Sequence, residues 1–95
     1  MTDGPAPRVT WYGDDFTGAT DTLAHVALAG WRSLLFLGVP SARQLQRAGP
    51  LDAIGIAGAA RAMAPDEMVP ELRKAGRFLA ATGTRIVHYK CCSTF

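Results

Sequence analysis

Asp14 and Asp15 stand side by side in the stretch Gly13-Asp14-Asp15-Phe16-Thr17-Gly18-Ala19-Thr20-Asp21. Before it lies an apolar run, Val9-Thr10-Trp11-Tyr12; after it, Leu23, Val26 and Ala27 recur at helical spacing. Two adjacent carboxylates at such a strand-to-helix turn can bind hydroxyls, take protons or hold a cation. Thr17 and Gly18 suit a helix opening, whose free N–H groups and positive dipole end favour anions. The same residues also read as architecture: either aspartate can cap the helix, and Gly18 can permit tight packing.

Further along, Arg61 follows a third apolar strand, and Lys90, Cys91, Cys92, Ser93 and Thr94 follow a fourth. Arginine matches a carboxylate bidentately, lysine offers a compact positive charge, and acids with hydroxyls suit a polyol. The implied ligand is a small, anionic, hydroxylated molecule. A plainer reading stands beside this one: Arg61 and Lys90 neutralise Asp14 and Asp15, and Ser93 and Thr94 cap a following helix. His88, inside a strand, reads as a packed core or face residue rather than a base. Neither G-x-x-x-x-G-K-S/T nor G-x-G-x-x-G occurs, so no nucleotide-phosphate loop is visible.

The elements that must position these groups alternate. Residues 1–7 read as a polar, Pro-rich mobile leader, and strands are expected near 8–12, 33–37, 52–58 and 85–89. The apolar run Ser33-Leu34-Leu35-Phe36-Leu37 suggests a strand buried on both faces. A helix is expected from Gly18 to about Ala29, with Leu23, Val26 and Ala27 inward and Gly30 as its stop. Ser41 caps a short helix to about Ala48, with Leu45 inward. Pro65-Asp66-Glu67 marks a third helix start, but Pro70 implies either a kink or a regular helix beginning near Val69. That helix runs to about Ala81 on a stripe of Leu72, Ala75 and Leu79. Strand–helix alternation argues for an α/β fold: an open parallel sheet with helices on both faces, Rossmann-like and three-layered. A parallel sheet brings all the strand carboxyl ends to one edge, where ligands bind.

The 95 residues are 48% apolar and 19% charged, with a formal net charge of +2. That balance is ordinary for a globular domain and too small to argue for nucleic acid or an anionic membrane. No apolar stretch approaches the roughly 20 residues of a transmembrane helix, and no signal peptide is visible, so a cytoplasmic protein is expected. Cys91 and Cys92 are neighbours and match no zinc spacing; they read as reduced, mostly buried thiols. The chain stops at Phe95, directly after the fourth strand, and so reads as an amino-terminal piece, truncated there, of a longer protein.

The stretch from Gly13 to Asp21 resembles the A-D-D-L/F-T-G-A-x-D signature of the four-carbon acid sugar kinase family. The resemblance continues through Gly30-Trp31-Arg32-Ser33-Leu34-Leu35-Phe36 and the arginine after the third strand, Arg61. It resumes at His88-Tyr89-Lys90-Cys91-Cys92-Ser93-Thr94-Phe95, where the family carries Y-K-K-x-D-S-T-L-R-G. There Tyr89 stands for the first lysine and Cys92 for the aspartate, which suggests a divergent branch with altered substrate preference. The resemblance makes residues 8–95 part of the amino-terminal, sugar-acid-binding domain of an ATP-dependent kinase of threonate, erythronate or 3-oxo-tetronate type. It implies that Arg61 and Lys90 hold the acid group or developing charge. It also implies that Asp14, Asp15 and Ser93 contact the substrate, with Asp15 the candidate catalytic residue that orients or deprotonates the attacking hydroxyl. ATP and Mg²⁺ would be bound mainly by a carboxy-terminal domain of the same chain, which these residues do not include.

Two other classes compete. A signalling receiver domain also places paired acids after its first strand. It needs an aspartate at the end of the third, where this chain has Ile56-Ala57-Gly58. A non-catalytic small-molecule-binding module on the same fold is the other alternative, and Cys92 keeps it open.

Overall fold

The computed structural model describes residues 6–60 and 63–90. Strands and helices alternate as β1 (Val9–Gly13), α1 (Phe16–Leu28), β2 (Ser33–Leu37), α2 (Ala42–Ala48), β3 (Ala53–Ala57), α3 (Pro65–Ala81) and β4 (Ile86–Lys90). Every strand pairing is parallel, in the order β2-β3-β1-β4. The expected open parallel α/β sheet is the observed one.

That order fixes where the helices go. The β1-to-β2 connection passes across β3, and the β3-to-β4 connection passes back across β1. Crossovers of one hand running in opposite directions lie on opposite faces. Successive strand residues also point to opposite faces. Accordingly Trp11 donates from its indole Nε1 to Ala19 O of α1 (3.2 Å), while Tyr12 donates from its hydroxyl to Glu71 Oε2 of α3 (3.0 Å). On the α3 side Tyr12, Ile56, Ala60, Ala75 and Leu79 form a buried cluster, joined by Val39, Met68, Leu72 and Phe78. The stripe of Leu72, Ala75 and Leu79 thus faces the sheet.

Local signals account for the helix ends. Past α1, Gly30 takes φ 83°, its N–H donates to Ala27 O (3.0 Å), and the Trp31 N–H donates to Val26 O (3.2 Å). This double closure needs a left-handed residue, which glycine supplies without a Cβ penalty. At α2 the Gln44 N–H donates to Ser41 Oγ while the Ser41 N–H donates to Gln44 Oε1, a reciprocal capping box.

Several expectations are corrected. β2 is an edge strand, not one buried on both faces: Leu34 is 41% and Leu37 79% exposed. Ala27 of α1 is exposed, while Leu23 and Val26 are half-buried. α1 begins at Phe16 rather than Gly18, because Asp15 caps it. α3 is continuous from Pro65 through Pro70. Pro70 lacks one interior N–H, but it lies on an exposed position near the helix start, and the apolar stripe beyond it holds the helix to the sheet. β1 and β4 are each shifted one residue later, so Gly13 and Lys90 belong to strands. Of the two readings of His88, core or face, the face residue is the observed one: it is exposed on edge strand β4. Pro7, assigned to the leader, is buried; residues 1–5 of that leader lie outside the described residues.

Candidate functional site

β1 and β3 are neighbours whose outgoing connections leave to opposite faces. The space beyond their carboxyl ends is therefore the topological switch point, where open α/β sheets take ligands. Gly13 is level with Ala57 of β3 on one side and Lys90 of β4 on the other. Asp14 leaves the sheet at that level and is only 8% exposed.

Asp15 follows in extended geometry, φ −145° and ψ 170°, as the N-cap of α1; its Oδ1 accepts from the Gly18 N–H at 2.7 Å. A carboxylate at that place meets the free N–H groups and the positive end of the helix. The close approach of α1 has its own cause. A Cβ on Gly13 would lie 2.6 Å from the Ala19 Cβ and 2.7 Å from the Ala19 backbone nitrogen. Only glycine lets the first turn of α1 sit this near the strand, and that brings both aspartates to the switch point.

The opposite wall is the connection from β3 to α3. The Gly58 N–H donates to Gly13 O at 2.9 Å, extending the parallel ladder one step past the strands. A Cβ on Gly58 would overlap the Tyr12 hydroxyl. Ala60 is fully buried, and Met63 N–H donates to Ala60 O (3.1 Å). α3 starts without a side-chain cap: Ala64 O accepts from the Glu67 and Met68 N–H groups, both at 2.9 Å.

Of the residues expected at the site, Asp14 and Asp15 are brought to this edge, and the backbone of Lys90 reaches it beside Gly13. The side chain of Lys90, and Arg61 and Ser93 altogether, lie outside the described residues, as do Cys91, Cys92 and Thr94. Tyr12, Gly58 and Glu71 were not anticipated at this edge. The available signal was a tyrosine directly before the glycine-acid-acid run. Among the described residues no group of three or more His, Cys, Asp or Glu converges as metal donors. At the far end of the sheet, Arg8, Arg32 and Asp52 line a cleft with Ala6, Pro50 and Leu51. Its charges are spent on each other and on the fold. Arg8 lies 3.9 Å from Asp52 and stacks over Trp31, and Asp52 accepts from the Arg32 N–H at 3.0 Å.

The chain is thus an open parallel α/β domain with two adjacent acids at its switch point, the place where such sheets take ligands. Residues 9–95 match the family described as a sugar-binding N-terminal domain, and the chain belongs to that family. It is 39% identical over 87 residues to a 3-oxo-isoapionate kinase of Paraburkholderia graminis, covering 92% of this chain and 18% of that protein. It is 41% identical over 83 residues to a 3-oxo-tetronate kinase of Methylobacterium radiotolerans, covering 86% of this chain and 19% of the relative. The chain thus spans about a fifth of the length of these relatives. In three dimensions it superposes with a TM-score of 0.82 on a Salmonella typhimurium LT2 protein provisionally described as a tRNA synthase. The two are 28% identical, and the match covers 96% of this chain and 21% of the other. Among the described residues no helix is long and apolar enough to cross a membrane.

Proposed function

We propose that this chain is the substrate-binding part of an ATP-dependent kinase that phosphorylates a four-carbon sugar acid of the threonate, erythronate or 3-oxo-tetronate type. The supporting observation is the placement of Asp14 and Asp15 at the β1/β3 switch point, inside a stretch that matches a sugar-binding family. The names of the similar kinases supply the substrate class.

In this reading Asp14 and Asp15 accept hydrogen bonds from substrate hydroxyls. Asp15, held at a helix start, orients the attacking hydroxyl and takes its proton. Arg61 and Lys90 meet the acid group or the charge that develops in transfer, and Ser93 adds a hydroxyl contact. ATP and Mg²⁺ are assigned mainly to a carboxy-terminal domain of the same chain, since the similar kinases extend well beyond the stretch that this chain matches. Phosphoryl transfer rests mainly on positioning and electrostatics, which are the contributions these side chains make.

The test is ADP release with a panel of four-carbon sugar acids, using the chain at the full length its gene encodes. Arg61→Ala should raise the KM for the sugar acid, because losing one partner of a buried charged pair costs about 2–5 kcal/mol. An unchanged KM would remove Arg61 from the site. Cys92, where the family carries aspartate, favours one second reading, a binding module without turnover. Sugar-acid binding with no ADP release under any donor would establish it instead.

A further inference from the structure

We infer that Trp11 is a positioning residue for the acid pair: its indole ties the first turn of α1, which Asp15 caps, to the strand whose end carries Asp14. This rests on the substrate-binding reading above. Trp11 is fully buried, and its Nε1–H donates to Ala19 O at 3.2 Å. Its ring lies over Gly55, the residue level with it on β3, where a Cβ would overlap the indole. A glycine at that position leaves the ring its place against the sheet.

Three contacts meet at Ala19. Its Cβ and backbone close on Gly13, its N–H donates to Asp15 O at 3.2 Å, and its carbonyl accepts from the Trp11 indole. Trp11 and Ala19 are eight positions apart, and both aspartates lie between them. The indole bond therefore closes strand end, turn and helix start into one segment pinned at both ends, with Asp14 and Asp15 at its tip. The helix does not need this bond. Ala19 lies inside α1, and a backbone carbonyl has a second lone pair beyond the one its helix uses. Filling the space does not need it either, since a phenyl ring buries apolar area without a donor that must be satisfied. What the indole adds is a fixed placement of the helix start against the strand end. In the proposed reaction Asp15 must meet a substrate hydroxyl within hydrogen-bond reach, and small displacements of such a group carry large kinetic costs.

The experiment is a double-mutant cycle between Trp11→Phe and Asp15→Asn in the chain at the full length its gene encodes. It measures ADP release with ATP and 3-oxo-tetronate, KM for ATP and the thermal midpoint. With Asp15 in place, Trp11→Phe should lower kcat per folded molecule about 10- to 100-fold, with KM for ATP unmoved. In the Asp15→Asn background there is no base left to misplace, so Trp11→Phe should lower the residual rate by less than about twofold. Benzothienylalanine inserted at position 11 keeps the size of the ring and puts sulfur in place of the N–H. It should reproduce the kcat loss with a thermal midpoint near the native one, and it carries the cycle if Trp11→Phe does not fold. A native kcat in the Trp11→Phe or the benzothienylalanine protein overturns the inference. Equal fold-losses in both backgrounds overturn it as well, since they mark a merely structural role. Failure of the wild-type protein to release ADP with any four-carbon sugar acid overturns the functional reading first, and this inference with it.

Discussion

Asp15 has two roles that one residue can combine but a mutation can separate. As N-cap it satisfies a helix donor at 2.7 Å. As the proposed base it must also reach a substrate hydroxyl. Asp15→Ala removes both, and should cost about 0.5–2 kcal/mol in thermal or urea unfolding. Asp15→Asn keeps an effective cap, so its stability should stay near native, while turnover should collapse for want of a base. If Asp15→Asn turns over normally and Asp15→Ala loses activity only in step with stability, Asp15 is a cap and nothing more. The aspartates were legible in the sequence because their context is local: a strand, a turn and a helix start within a few residues. Tyr12 was not, because its partner Glu71 lies 59 residues away and only the sheet order brings them together.

At the scale of elements, the strand–helix alternation and the four strand positions were readable from apolar runs and turn residues. Their order was not. A run such as Ser33–Leu37 is apolar whether it lies at the centre or the edge of a parallel sheet, so its exposure depends on which strands pair beside it. The β1–α1 contact gives a direct test of how closely these elements must approach. Gly13→Ala would place a methyl 2.6 Å from the Ala19 Cβ, with backbone atoms close behind, so α1 must move away from the strand. Overpacking of this kind costs about 1–3 kcal/mol, read as a lower urea midpoint. Gly76→Ala is the contrasting variant. Its Cβ would meet nothing within 4 Å, and it lies inside α3, so it should stabilise by about 0.5–1 kcal/mol through helix propensity. A Gly13→Ala protein as stable as the wild type would show that the close β1–α1 packing is not required.

At the scale of the whole molecule, the sheet leaves apolar side chains in solvent at both margins. Leu37 on β2 is 79% exposed, and Ile86 and Val87 on β4 are 58% and 55% exposed. The site edge is equally one-sided. It presents acids suited to hydroxyls, but the 95 residues contain neither of the glycine-rich patterns that cradle phosphates. The relatives it matches are about five times as long. The proposal therefore divides the reaction: acceptor groups within residues 1–95, donor groups in a further domain. Transfer requires the donor phosphates to be held in line with the acceptor hydroxyl, and a carboxylate pair without that hold supplies only half of the geometry. Purified residues 1–95, incubated with ATP, Mg²⁺ and threonate, erythronate or 3-oxo-tetronate, should release no ADP above the buffer rate. The chain at the full length its gene encodes should release ADP only when the sugar acid is present. Sugar-acid-dependent ADP release by residues 1–95 alone would overturn the division, and would place a phosphate-holding site among side chains that show no known pattern for one.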